Sequence, residues 1–177
     1  MITKSVAELH DLTRRILIAA GAAESNANEV AEHLAESNLC GVDTHGVWHL
    51  PGYVQAIRDG YIAPTALPAV AQEKSNTALV TGNWTFGHVA AKFATKLGIV
   101  KARKHDIALI SIVQTNHIGR LGYYVEMAAA EGMISMVFAG GFGIGEPVAV
   151  PYGGRKPIFH TNPIAMSFPT TDGEPMM

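Results

Sequence analysis

Apolar side chains recur at three- and four-residue steps through the first sixty residues and then give way to short strand-like runs. Val6, Leu9, Leu12, Ile16 and Ala19 follow Ser5, a helix-capping residue type, and stop at Gly21, which predicts an amphipathic helix with a glycine terminator. A second helix is expected after a Ser25 or Asn26 cap, with Val30, Ala31, Leu34 and Leu39 buried before Gly41. A third has Pro51 in its first turn, carries Tyr53, Val54 and Ile57, and ends at Gly60.

From Ile62 the texture changes to AlaProThrAlaLeuPro, which places a boundary near residue 65: a helical region over 1–65 and an α/β domain over 66–177. Two short runs at 69–73 and 77–81 read as strands separated by Ser75 and Asn76. Residues 86–104 read as a helix rich in alanine, and 107–113 and 133–139 as buried strands flanking a helix at 119–131. Strand, helix, strand is the βαβ pattern, whose parallel sheet is normally covered on both faces. A further apolar strand is expected at 164–168, so the fold class is α/β, with the helical region leading into a mixed α/β domain.

Composition narrows the partners. With 48% apolar residues in a chain of 177, a substantial core is expected. A net charge of -2 and the absence of any Lys or Arg run argue against nucleic acid and anionic lipid. No apolar stretch approaches the roughly 18 to 20 residues that cross a bilayer, and the charged, helical N-terminus does not read as a signal peptide. The single cysteine, Cys40, fits a reducing compartment, so a cytoplasmic location is expected. Its helical pattern and apolar neighbours make it a small core residue.

Four stretches could carry chemistry. GGFGIGEP at 140–147 follows a strand, but Gly141, Gly143 and Gly145 give G-x-G-x-G, and Pro147 falls where a dinucleotide-binding helix should run, so an ordinary Rossmann turn is not expected. QTNHIGRLGYY at 114–124 joins a strand to a helix, the edge of an α/β sheet where ligands gather, and concentrates Asn116, His117 and Arg120 between glycines. PYGGRKPIFHTNPIAMSFP at 151–169 offers Gly153, Gly154, Arg155 and Lys156 for phosphate or carboxylate ahead of an apolar strand, or else opens as a polar loop with an Asx turn. VDTHGVWHL at 42–50 puts His45 and His49 on one helical face behind an Asp43 or Thr44 cap. That spacing can bind zinc, but the glutamate of H-E-x-x-H and a third ligand are absent, so no metal is expected and a metal-dependent hydrolase is the weakest reading.

Taken together, three of these stretches resemble the malate/L-lactate dehydrogenase family of NAD(P)-dependent oxidoreductases, distinct from the Rossmann-type enzymes of similar name. The early D-S-H-G-V-x-R-x-x-x-Y of that family resembles AspThrHisGlyVal at 43–47 with Tyr53 downstream. Its S-x-H-x-G-x-x-G-Y-Y resembles Thr115 to Tyr124, and its P-x-G-G followed by G-T-N-P resembles ProTyrGlyGly at 151–154 and HisThrAsnPro at 160–163. The resemblance implies a non-Rossmann site for NAD or NADP, hydride transfer at the carbon next to a carboxylate in a small 2-hydroxy or 2-keto acid, and a homodimer. It makes His117 and His45 the candidates for proton transfer, with His117 favoured, and lets Thr44 offer a hydroxyl to the substrate. Histidine suits the task, because an imidazole with a pKa near roughly 6.5 can accept and return a carbinol proton near neutrality. Tyr53 is placed at the substrate, and His160, Thr161, Asn162, Pro163, Gly153 and Gly154 at the cofactor. Three departures accompany the match. His49 stands where the family has arginine, so His49 in its protonated form, or Arg120, would take the substrate carboxylate. His160 stands where the family has glycine and needs extra space. The chain is also shorter than the family, which implies truncation. The alternative is a non-catalytic fragment that associates with full-length subunits.

Overall fold

The computed structural model describes residues 3–141, 147–171 and 173–177. Gly143 and Gly145 of the glycine run lie outside the described residues. The chain divides into two compact units, Met1–Tyr123 and Tyr124–Met177. The helices up to residue 105 and the first sheet share the first unit, so the change of texture near residue 65 separates kinds of secondary structure within it.

Helix α1 (Val6–Ala19) begins with a reciprocal cap: Glu8 N donates to Ser5 Oγ at 3.3 Å, and Ser5 N donates to the Glu8 carboxylate at 2.9 Å. Its buried stripe is Thr13 and Leu17, whereas Val6 and Leu12 of the expected face are exposed, because α1 packs mainly on α2. Helix α2 (Glu24–Leu39) buries Val30, Ala31 and Leu34 as expected. Asn26 is not its cap: it lies inside the helix, and its Nδ2 donates to Pro64 O and Ala66 O at 3.0 Å and to Thr85 Oγ1 at 3.3 Å. Leu39 and Cys40 are exposed rather than buried, because both fall at the helix end beyond the packed stretch.

Two 3-10 turns, Asp43–His45 and Val47–His49, lead into α3 (Leu50–Arg58), which has Pro51 in its first turn as expected. Leu17, Val30, Leu34, Leu50, Tyr53 and Phe86 belong to one core cluster, which holds α1, α2 and α3 against the start of α4. Each such side chain contributes about 1.5 to 3 kcal/mol on burial.

Strands β1 (Ala69–Glu73) and β2 (Thr77–Thr81) pair antiparallel, and β2 continues through α4 (Gly87–His105) to a parallel β3 (Leu109–Val113), with Thr77 opposite Leu109 and Thr81 opposite Val113. The βαβ unit is therefore β2–α4–β3. In the second unit, which begins within α5 (Gly122–Ala129), β4 (Ser135–Phe138) pairs antiparallel with β5 (Ile164–Ser167), so the βαβ unit falls earlier in the chain than the expected 107–139. Neither β3 nor β4 is buried on both faces: Leu109 is 67% and Phe138 66% exposed, since one face of each strand is bare among the described residues. No helix among them is long and apolar enough to cross a membrane.

Candidate functional site

In the first unit the parallel strands β2 and β3 deliver their carboxyl ends to the same edge, where Gly82 N donates to Val113 O and Trp84 N donates to Gln114 O. Trp84 has φ 59°, a strained conformation for a bulky residue, and is held there because its carbonyl also accepts from Ala63 N and Asn116 Nδ2. Asn116 Nδ2 also reaches Tyr61 O and Thr85 O, pinning the chain just before His117.

Two glycines let this loop approach its neighbours. A Cβ on Gly87, at the start of α4, would lie 2.2 Å from Asn116 O and His117 O. Gly119 has φ +72°, and a Cβ there would lie 2.4 Å from His33 Nε2 and 2.7 Å from His88 Nε2. The loop is thus wedged onto two buried imidazoles, and Arg120 N donates to His33 Nε2 at 2.9 Å.

A single side chain on α2 brackets the turns that bear the other histidines. Asn38 Nδ2 donates to the Asp43 carboxylate at 2.5 Å, and Asn38 Oδ1 accepts from Val47 N at 2.9 Å. Thr44 Oγ1 lies 3.1 Å from His45 Nδ1. The His117 ring then meets His49 at 4.6 Å and His45 at 5.9 Å between centroids, and Tyr53 stacks on His49 at 5.7 Å. Tyr53 is buried, and its hydroxyl is 2.8 Å from His117 Nδ1 and 3.5 Å from His88 Nε2. Of the expected first-unit residues, the structure brings together Thr44, His45, His49, Tyr53 and His117.

Arg120 differs from expectation. It is 7% exposed, and its guanidinium pairs with Glu36 at 3.2 Å, so it braces the loop against α2 instead of standing open to a carboxylate. His33 and His88 were not foreseen: neither belongs to a motif, and the one signal was a lone histidine among the small residues opening α4, in GlyHisValAlaAla at 87–91.

Burial sets the charge state of the cluster. It holds His88 far below the ordinary imidazole value, with His33, His117 and His49 as like-charged neighbours, and takes His33 to about 3, with Arg120 adding to the effect. His117 keeps an edge open to solvent, yet packing among the rings brings it to about 4, with His49 and then His45 contributing. His45 is lowered by burial first and by His49 second, and burial raises the Tyr53 phenol. The cluster is neutral at pH 7 wherever these shifts apply, so it works through hydrogen bonds. Among the described residues no three His, Cys, Asp or Glu side chains are arranged to hold a metal ion.

In the second unit, Pro151 O accepts from Gly154 N at 2.8 Å, closing a turn whose third residue, Gly153, has φ +75°. Arg155 and Lys156 beside it are exposed, as are Thr161, Asn162 and Pro163. Asn162 Nδ2 donates to His160 O at 3.0 Å. The space His160 needs is provided by Gly141, where a Cβ would come within 2.6 Å of the His160 Cβ.

The sequence profile of the malate/L-lactate dehydrogenase family matches residues 5–177. Hydroxycarboxylate dehydrogenase B of Escherichia coli (strain K12) is 36% identical over 169 residues, covering 96% of this chain and 46% of that protein. L-sulfolactate dehydrogenase of Methanothermobacter thermautotrophicus is 38% identical over 159 residues, covering 90% and 46%. Among solved structures, malate dehydrogenase from Pyrococcus horikoshii OT3 superposes with a TM-score of 0.91 at 35% identity, covering 98% of this chain and 49% of that one. The chain spans about half the length of the curated relatives it matches. A profile match over nearly every residue, joined to the histidine, tyrosine and glycine constellation above, shows that the chain belongs to the malate/L-lactate dehydrogenase family.

Proposed function

We propose that the chain carries residues of an NAD(P)-dependent oxidoreductase that moves hydride between a nicotinamide and a small 2-hydroxy or 2-keto acid. The supporting observation is His117: a solvent-exposed imidazole whose Nδ1 lies 2.8 Å from a buried tyrosine hydroxyl, with two further imidazoles within 5.9 Å of its ring. In this reading His117 exchanges the proton of the carbinol or keto oxygen, a role typically worth about 10² to 10⁴ in rate. His45, tied to the Thr44 hydroxyl, orients the substrate from the neighbouring turn. His49 takes the substrate carboxylate, since Arg120 is engaged by Glu36.

Residues of the second unit fit a dinucleotide by their chemistry. The exposed backbone of Gly153 and Gly154 with Arg155 and Lys156 suits a diphosphate, and the exposed Thr161 hydroxyl and Asn162 amide suit ribose or nicotinamide polar groups, with His160 and Pro163 fixing that turn. When bound, the nicotinamide supplies or removes the hydride. The reading includes a homodimer and a cytoplasmic setting. The test is a thermal-shift screen against NADH and NADPH followed by a nicotinamide absorbance assay with 2-keto and 2-hydroxy acids. The expected result is a thermal shift with NADH or NADPH, kept in His117→Ala, and turnover that His117→Ala removes; no binding and no turnover would overturn the reading.

The bare apolar faces of β3 and β4 favour a second reading, a non-catalytic chain that associates with full-length subunits. Co-purification with a longer relative, without turnover by the chain alone, would support it.

A further inference from the structure

We infer that Asn38 is a positioning residue for the site: its amide, laid against Gly46, ties the two 3-10 turns to each other and to α2, and so sets where His45 and His49 stand before His117. The substrate contacts of those two rings rest on the oxidoreductase reading, and their placement rests on geometry alone.

A short polar side chain near a helix end commonly bonds back to its own backbone, as Ser37 does in donating to His33 O at 2.8 Å. Asn38 reaches forward instead. Its Nδ2 donates to the Asp43 carboxylate, five residues on, at 2.5 Å, and its Oδ1 accepts from Val47 N, nine residues on, at 2.9 Å. These partners fix which end of the amide is which, because an ionised carboxylate only accepts and a backbone N–H only donates. Asp43 opens the first turn, Asp43–His45, and Val47 opens the second, Val47–His49. An N–H at the start of a helical turn has no partner within it, and Asn38 supplies the acceptor for the one at Val47.

Gly46, between the turns, makes room for this amide. A Cβ there would lie 2.1 Å from Asn38 Oδ1, 2.5 Å from Cγ and 2.7 Å from Nδ2. Its φ is -91°, so glycine is needed for space and not for a left-handed backbone. The two tied residues each stand two positions before a histidine, His45 after Asp43 and His49 after Val47. Those rings have centroids 6.3 Å apart and lie 5.9 Å and 4.6 Å from that of His117. His117 is held from elsewhere, by the Tyr53 hydroxyl and the Asn116 anchor before it. Asn38 thus bears on two of the three rings and touches none of them.

The experiment is 15N NMR of the histidine-labelled full chain at pH 7, with rings assigned through His33→Gln, His45→Gln, His49→Gln and His88→Gln, alongside substrate kinetics. Asn38→Asp sets two carboxylates against each other, whereas Asn38→Asp joined to Asp43→Asn restores both hydrogen bonds, the first with its direction reversed. The His45 and His49 resonances should move in the single variant and return in the double one, while those of His33 and His88 stay in place. Substrate KM should rise about tenfold in Asn38→Asp, the scale of one lost hydrogen bond to a charged group, and recover in the double variant, with kcat changed less. The inference is overturned by His45 and His49 resonances that stay fixed in the single variant, fail to return, or move together with those of His33 and His88. An unchanged KM overturns it as well. Asn38→Ala, which leaves Val47 N without its acceptor, takes the place of Asn38→Asp in the comparison if that variant does not fold. A chain that turns over no hydroxy or keto acid sinks the functional reading and leaves the ring resonances to decide the positioning.

Discussion

The loop after β3, residues 114–121, and the loop at 147–163 in the second unit both carry glycine, asparagine and histidine, yet they are built differently. In the first, Asn116 reaches three backbone carbonyls, Arg120 N donates to a buried imidazole, and Gly119 is pressed between two rings. In the second, one closed turn, an isolated bridge between Ala149 and Phe159 and a local Asn162 bond hold a largely exposed strip. The difference matches the tasks proposed for them. A proton crosses only over a fraction of an ångström of misplacement, so its ring must be anchored, whereas a large dinucleotide is gripped by many modest contacts that tolerate adjustment.

Substitutions can break this contrast, beginning with the greatest effect. His117→Ala should lower turnover about 10²- to 10⁴-fold while leaving the thermal shift with NADH or NADPH intact; a shift lost along with turnover would deny that the two loops have separate duties. Gly119→Ala should cost about 3 kcal/mol in urea unfolding, through left-handed strain and collision with His33 and His88 together. Acid should act on the first loop's support. The unfolded chain takes up protons on His33 and His88 below about pH 6.5, while the folded chain holds His33 at about 3 and His88 well below normal. Stability is therefore full above that value and should fall by about 3 kcal/mol between pH 7 and 5. His33→Gln combined with His88→Gln should flatten the slope. Asn116→Ala should cost about 2 kcal/mol, against less than about 0.5 kcal/mol for exposed Asn162→Ala. Gly153→Ala should fall between those two, at about 1 kcal/mol: its φ is as positive as that of Gly119, but open space surrounds it.

Local signals in the sequence served well where the structure depends on neighbours along the chain. The Ser5 cap, the Pro51 start of α3 and the strands at 69–73 and 77–81 appear where spacing put them. Asn26 misled because a short polar side chain near a helix start serves equally as cap or as buried tether, and Pro64, Ala66 and Thr85, which it holds, lie 38 to 59 residues away. Apolar runs at β3 and β4 could not reveal that one face of each stays bare. At the site, the histidines of the three motifs were legible as chemistry. Their assembly was not, since Asn38, His33 and His88 act only through contacts between distant segments.

Cys40 has a practical consequence. It is the sole cysteine of the sequence, it is exposed, and it follows α2 two residues after the Asn38 that brackets the histidine turns. A maleimide fluorophore or nitroxide would therefore attach at one native position, without mutagenesis, and report in real time on the loosening or tightening of those turns as a ligand arrives.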